Sequence, residues 1–346
     1  MSQPPTADRS DRKPGPGVLA DLIAGKWTSR AISVAAELGV ADILKDGPRS
    51  AREIAEAVGA SEDAVCRLLR ALASVGLFST VAPRRFALTP VGEYLRRDVP
   101  GSLRGWARFM GHDLTWRPWG QLAYSVRTGK AAFDHVFDTA LYPYLSGNVE
   151  GAAVFNEAMT AVSTMDAAAV LKTYDFSGIS TVVDVGGGQG LLLATLLKAS
   201  PKMRGILFDL PHVVSGASEL LQREGVAERC AFVAGDFFQS IPGGGDAYIM
   251  KLILTNFDDD RSATLLGNCS RIMQPGAKLL VIDRVISAGD DADIGKFADL
   301  EMLVLTPGGR ERTEAEFRRL YEQAGLELAR IIPTRSLKCI VEGIRR

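Results

Sequence analysis

The 346-residue chain predicts an α/β protein: a doubly wound, seven-stranded sheet in the C-terminal half, preceded by a smaller and mostly helical domain. Three observations carry this. From Ser180 onward the sequence offers seven short apolar runs, the first five separated by stretches of helical periodicity. A glycine-rich turn, Gly186-Gly-Gly-Gln-Gly190, sits between the first of these runs and the helical stretch Leu191 to Leu197. Ahead of about Leu95 the apolar spacing is helical, interrupted by one hairpin pattern. A chain of this length is comfortable as two compact units.

The first 17 residues, rich in Pro, Ser and charge, read as a disordered tail. Residues 18–105 read as a winged helix. Ser50-Ala-Arg-Glu53 has the capping-box form ahead of Ile54 to Val58, and a break follows at Gly59-Ala-Ser61. Val65, Leu68, Leu69, Leu72 and Val75 then recur at helical spacing until Gly76 ends the run. Leu77 to Val81 and Arg85 to Pro90 form the hairpin. Arg67, Arg70, Arg84 and Arg85 alternate with Glu53, Glu56, Glu62 and Asp63, a mixed-charge solvated face that argues against a nucleic-acid partner. Leu19, Leu22, Ile23, Trp27, Ile32 and Ala35 would suit a dimer interface, as they would suit a core helix.

Residues 106–175 are helical and aromatic-rich, with turn signals at Arg127-Thr-Gly129 and Tyr142-Pro-Tyr144; they read as a linker that roofs a pocket. In 176–346 the strands are Thr181 to Val185, Gly205 to Phe208, Ala231 to Ala234, Ala247 to Leu254 and Lys278 to Ile282. Glu327 to Ile332 and Leu337 to Glu342 close the sheet as a C-terminal hairpin.

Composition narrows the function classes. The formal net charge of −1 and the 47% hydrophobic content describe an ordinary globular protein without a gross electrostatic preference for a partner. No apolar run approaches the roughly 18 to 20 residues that cross a bilayer, and the polar start lacks the core of a signal peptide. The four cysteines are scattered and form no ligand cluster with the three histidines. The expectation is a cytoplasmic protein with reduced thiols, no metal and no membrane partner.

The glycine turn fails the GxGxxG spacing of a dinucleotide site, since Leu191 stands where the last glycine would be; its spacing is GxGxG, with Asp184 two positions before Gly186. That form, with Gly188 at its centre, suits a cofactor with an amino-acid end in place of a pyrophosphate. Asp209, with Leu210 after it, ends the second strand, where a carboxylate can accept both hydroxyls of a ribose. Asp236 follows the third strand in Gly-Asp-Phe-Phe, placed to accept from an adenine amino group with Phe237 beside the ring. Three successive strand ends converging on one nucleoside point to S-adenosylmethionine.

On these residues the chain resembles the large O-methyltransferase family that includes the plant caffeic acid enzymes, hydroxyindole O-methyltransferase and bacterial anthracycline-tailoring enzymes. The matching segments are VVDVGGGQG, LFDLPHVV, GDFF, FNEAM at Phe155 to Met159, and LTPGGRERTEAEF at Leu305 to Phe317. The resemblance covers nearly all of the chain beyond residue 17. It implies a Rossmann-like methyltransferase sheet behind an N-terminal winged-helix dimerisation domain, and a homodimer. It also implies that Lys251 lies over the adenosine, that Phe155 and Met159 lie near the transferred methyl, and that Met302 lines the acceptor pocket.

One departure matters. The plant-type enzymes carry a histidine base after the fourth strand, and Thr255 stands at that position here, with Asn256 beside it. The two acidic partners of that histidine are present as Asp283 and Glu311, though Asp283 has alternatives in pairing with Arg284 or Arg312 and Glu311 in capping the helix near Thr313. His112, near Trp116 and Trp119, is a further candidate base. General-base help contributes roughly 10² to 10⁴ in rate, and proximity and orientation several kcal/mol more. The reading is therefore an S-adenosylmethionine-dependent O-methyltransferase acting on a hydroxyl of an aromatic or polyketide-like secondary metabolite, by proximity without the histidine. The alternative is the same fold using the bound sulfonium as an electrostatic prop for a non-methylating reaction.

Overall fold

The computed structural model describes residues 15–345. The tail expected over residues 1–17 lies outside them except for its last three residues, of which Pro16 opens a helix, Pro16–Ile23. Contacts divide the chain into two compact units: residues 1–116 with 148–162, and residues 117–147 with 163–346. Residues 106–175 are thus shared between the units, and the chain passes from one to the other within the long helix Val149–Thr173.

The first unit holds a three-stranded antiparallel sheet in the order β1-β3-β2, with β1 Arg49–Ser50, β2 Phe78–Ala82 and β3 Arg85–Leu88. The helices Ala51–Val58 and Glu62–Ser74 precede the β2–β3 hairpin, which is winged-helix topology. Ser50 forms the full capping box with Glu53, satisfying two helix-end donors at once. Ile54, Leu69, Leu72, Phe78 and Phe86 fill the core of this unit. Of the candidate interface residues, Leu19, Leu22, Ile23 and Trp27 are exposed, whereas Ile32 is half-buried and Ala35 is buried in the unit's own core. Two arginines of the mixed-charge face are paired within the unit: Arg84 donates to Glu62 at 2.9 Å and Arg85 to the Pro48 carbonyl at 2.7 Å.

The second unit is built on β4 Thr181–Val185, β5 Arg204–Asp209, β6 Cys230–Ala234, β7 Ala247–Lys251, β8 Lys278–Asp283, β11 Glu327–Pro333 and β12 Cys339–Ile344, in the order β11-β12-β8-β7-β4-β5-β6. All neighbours pair in parallel except β12, which runs antiparallel to both β8 and β11. A second, two-stranded parallel sheet joins β9 Val285–Ile286 to β10 Arg312–Thr313. Two apolar clusters pack the faces of the large sheet, as a parallel sheet requires. The order reverses at β4, so the ends of β4, β5, β7 and β8 open on one crevice.

The fourth strand is shorter than its apolar run. Pairing stops at Lys251; Leu252 has φ +56° and Leu254–Asn256 is a 3₁₀ turn. Leu254 is apolar because it is buried under the turn, not because it belongs to a strand. Among the described residues no helix is long and apolar enough to cross a membrane.

Candidate active site

The strand ends build the site from the glycine loop outward. Leaving β4, the chain is held by the Gly186 N–H on the Phe208 carbonyl at 2.8 Å. A Cβ on Gly187 would stand 2.5 Å from Leu207 and 2.6 Å from Asp184, and Gly188 turns with φ +59°, so the loop is packed underneath and left-handed at its tip. Gly188 N–H donates to Asp209 Oδ2 at 2.8 Å, and Leu210 N–H donates to Oδ1 at 2.7 Å. Two of the roughly four acceptor positions of that carboxylate fix its orientation and leave the others for a ligand. Asp236 Oδ1 accepts from Phe238 N–H at 2.9 Å. Phe237 lies edge-on to Phe238 and Phe257, and the Arg261 guanidinium covers Phe238 and Phe257.

Next to the loop is a buried set of ionisable groups. Lys251, at the end of β7, donates to Ser163 Oγ at 2.9 Å; burial pulls its pKa down while Asp166, Asp184 and Asp283 draw it back up. Asp184 is 2% exposed and burial pushes its pKa up to about 7, with Lys251 opposing and Asp209 adding to the shift. Asp283, at the end of β8, is likewise pushed up to about 7, first by burial and then by Glu311. Glu301, on the helix Ile294–Leu305, accepts from the Trp119 indole N–H and is raised to about 7 by burial. Lys338, just before β12, is lowered by burial to about 8.

Backbone hydrogen bonds tie the turn carrying Thr255 to the segments carrying Asp283 and Glu311. Leu252 N–H donates to the Ile282 carbonyl at 3.0 Å, and Arg310 N–H to the Thr255 carbonyl at 2.8 Å, so the turn carrying Thr255 is tied to the neighbours of Asp283 and Glu311. Asn256 Oδ1 accepts from the Tyr142 hydroxyl at 3.0 Å and its amide donates to the Leu252 carbonyl at 2.7 Å. Neither alternative for the two acids holds. Asp283 has both oxygens buried without a hydrogen bond. The Arg312 guanidinium is taken by Asp259, Ser262 and the carbonyls of Leu254 and Phe257. Glu311 pairs with Arg284 at 3.1 Å, and the helix after it is capped by Thr313 with Glu316.

The residues fit S-adenosylmethionine. Buried polar atoms without a protein partner gather here, on Asp166, Asp184, Thr255, Asp283, Arg284, Glu301 and Glu311, and such atoms mark ligand sites when they cluster. Five carboxyls, Asp166, Asp184, Asp283, Glu301 and Glu311, face the cations Lys251, Arg284, Lys338 and Arg312, the last of them already paired with Asp259. The acidic excess suits a ligand carrying a sulfonium and an ammonium.

Of the sequence candidates, Asp184, Gly186, Gly188, Asp209, Leu210, Asp236, Phe237, Lys251, Thr255, Asn256 and Asp283 lie at these strand ends and the turns after them, and Glu311 lies just before β10. Met302 is half-buried on the helix that carries Glu301. His112, Phe155 and Met159 belong to the first unit. There His112 Nδ1 accepts from Leu114 N–H at 3.2 Å, and Phe155 meets Phe109 edge-on with ring centres 5.7 Å apart. Sequence reasoning missed Tyr142, Ser163, Asp166, Glu301 and Lys338. Ser163 alone left a signal, following Met159 by one helical turn on Val149–Thr173.

Comparison with known proteins identifies the family. Residues 20–98 match an O-methyltransferase dimerisation domain and residues 119–327 an O-methyltransferase domain. The chain is 41% identical over 336 residues to the phenazine O-methyltransferase PhzM of Lysobacter antibioticus, covering 97% of this chain and 98% of that one. It is 40% identical to the mitomycin biosynthesis 6-O-methyltransferase of Streptomyces lavendulae, covering 99% of both. The crystal structure of human N-acetylserotonin methyltransferase in complex with S-adenosylmethionine superposes with a TM-score of 0.87 at 26% identity, covering 97% of this chain and 99% of that one. The chain belongs to the O-methyltransferase family and is an S-adenosylmethionine-dependent enzyme of that family.

Proposed function

We propose that the enzyme methylates a hydroxyl of a fused-ring aromatic or quinone secondary metabolite, of the kind for which the phenazine and mitomycin relatives are named. The observation that carries this reading is the carboxyl-rich, buried cluster around Thr255 beside the glycine loop and Asp209. Gly186, Gly188, Asp209 and Leu210 hold the ribose and the loop side of the cofactor, Asp236 and Phe237 the adenine, and Asp184 and Lys251 the region between loop and cluster. The cofactor supplies an activated methyl group on a sulfonium. Thr255, Asn256 and Met302 border the acceptor. Thr255 offers a hydroxyl and no base, so alignment of acceptor and methyl does the larger share of the work. His112 lies in the first unit, where its Nδ1 accepts from Leu114 N–H.

A homodimer is part of the proposal. It is supported by the match to a dimerisation domain and by the exposed apolar side chains Leu19, Leu22, Ile23 and Trp27 at the start of that unit. A reducing, cytoplasmic setting is supported by the four unpaired cysteines.

Incubation with methyl-labelled S-adenosylmethionine and a panel of phenols, hydroxyquinones and hydroxyphenazines, with arylamines as the nitrogen control, tests the reaction. Label should pass to oxygen with one S-adenosylhomocysteine released per product. Cofactor binding with turnover of an acceptor but no S-adenosylhomocysteine would overturn methyl transfer.

A further inference from the structure

Glu301 belongs to the buried carboxyl set, yet the elements packed most closely on its helix, Ile294–Leu305, carry no residue assigned to the cofactor. They are Leu122–Thr128, β9, and Ala132–Phe137, which brings the paired rings of Phe133 and Phe137. The next residue along the helix is Met302, which borders the acceptor. A hydrogen bond and a close approach hold this helix to the reacting end of the site. Asp299 Oδ1 accepts from Glu311 N–H at 2.8 Å. A Cβ on Gly309, after the helix, would stand 2.1 Å from Thr306 Oγ1 and 2.7 Å from the Thr255 carbonyl, so the segment leaving the helix lies against the turn that carries Thr255.

The two oxygens of Glu301 are in different situations. Oε2 accepts from the Trp119 indole N–H, whereas Oε1 is buried without a hydrogen bond in a residue that is 7% exposed. Among the described residues no cation is ion-paired with Glu301; Arg284, the cation in its field, donates instead to Glu311 at 3.1 Å. A buried acceptor left open is destabilising until a ligand supplies the donor. Open buried polar atoms recur on the neighbouring elements, at Asp134 Oδ1 on Ala132–Phe137 and at Ser287 Oγ directly after β9.

We propose that Glu301 is a specificity-determining residue of the acceptor site: its Oε1 takes a hydrogen bond from an amino or hydroxyl substituent that the acceptor carries away from the oxygen being methylated. The inference rests on the methyl-transfer reading above and deepens it, naming the acceptor as a fused-ring phenol with a second N–H or O–H donor. The indole N–H is a donor only, so it pins one carboxyl oxygen and presents the other in a fixed direction. A second anchor on the ring limits its rotation, which matters where alignment does most of the work. An acceptor without that donor leaves Oε1 unpaired, the situation in which a polar site discriminates most strongly. A Glu301 that only braced its helix against Trp119 would treat all acceptors alike.

The test compares naphthol with its positional isomers bearing an amino, a hydroxyl or an acetyl group, by kcat/KM and by calorimetric binding to the protein saturated with S-adenosylhomocysteine. In the wild type at least one amino or hydroxyl isomer should exceed naphthol by about 10-fold or more; preference in either arm supports the proposal and names the donor. In Glu301→Gln the indole N–H selects the amide oxygen, which puts the NH₂ where Oε1 stood. The ratio of the preferred isomer to naphthol should then fall by about 10-fold or more, and the acetyl isomer at the same ring position should gain on naphthol. A wild type that favours no donor-bearing isomer, a Glu301→Gln protein that keeps the wild-type preference, or an equal loss across the whole set overturns the proposal. If Glu301→Gln does not fold, Glu301→Asp takes its place: a carboxylate drawn back by one methylene should lose the preference without gaining one for acetyl, and a preference kept there overturns the proposal equally. Should no isomer be methylated, the binding ratios still decide the role of Glu301, and the failure falls on the methyl-transfer reading.

Discussion

At the scale of single residues, Asp209 does two jobs with one carboxylate. It ties Gly188 and Leu210 to the end of β5, and it keeps acceptor positions free toward the loop. Hydrogen bonds to a charged group are worth about 1.5–3 kcal/mol each, so Asp209→Ala should weaken S-adenosylhomocysteine binding by roughly 10- to 100-fold in calorimetry. Affinity at the wild-type level in that variant would take the nucleoside away from this strand end. Asp184, Asp209 and Asp236 were legible by position because each lies within two residues of the point where an apolar run gives way to a turn, a pattern that exists along the chain. Lys338, Asp166 and Glu301 were not, because nothing local distinguishes them from surface charges; their burial is a consequence of which strands and helices become neighbours. Glu311 shows the same limit in a smaller way. Its spelling is compatible with a helix cap, and only the fold shows Thr313 and Glu316 taking that role while Glu311 turns to Arg284.

At the scale of elements, the seven strands were readable from apolar runs, with errors where a run is apolar for another reason. Leu254 is buried in a 3₁₀ turn after Leu252 has left the strand with φ +56°, so the fourth run overshoots its strand. The two-residue strands β1, β9 and β10 carry too few positions for any periodicity to show. The loop after β4 was readable as glycine-rich, but the reason for its middle glycine comes from packing. A Cβ on Gly187 would stand 2.5 Å from Leu207 and 2.6 Å from the Asp184 carboxyl, both fully enclosed. Gly187→Ala should therefore destabilise the second unit by about 1–3 kcal/mol, the ordinary cost of overpacking, and should weaken cofactor binding by displacing Asp184. Chemical denaturation read alongside S-adenosylhomocysteine titration checks both; a variant as stable and as tight-binding as wild type would mean that the loop relaxes without disturbing Asp184.

At the scale of the whole molecule, the formal net charge of −1 gives global charge little leverage on folding near neutral pH, and the buried carboxyls take over. Asp184, Asp283 and Glu301 have pKa values near 7 in the folded protein against ordinary values of 3.8 and 4.5. Between those values the folded protein binds more protons than the unfolded chain. The stability these groups contribute is complete below about pH 4, declines as pH rises through about 7, and is flat beyond. Each group sets a slope of at most about 1.4 kcal/mol per pH unit in that window. The carboxylates held low, Glu53, Asp98 and Glu224, respond below about pH 4.5 and leave the window untouched. Lys338, lowered to about 8, has the opposite sign: its contribution is present above about pH 10.5 and lost as pH falls through 8. The melting temperature of the protein without cofactor should accordingly fall between pH 5 and 7. S-adenosylmethionine, whose sulfonium favours the ionised carboxyls, should offset the fall more than neutral-sulfur S-adenosylhomocysteine does. Calorimetry at pH 5, 6, 7 and 8 with each ligand measures this, and Glu301→Gln, which removes one titrating group, should flatten the curve. A melting temperature that climbs from pH 5 to 7 in the ligand-free protein would mean that these carboxyls are ionised in the fold, and the charge balance assigned to the cofactor site would have to be redrawn.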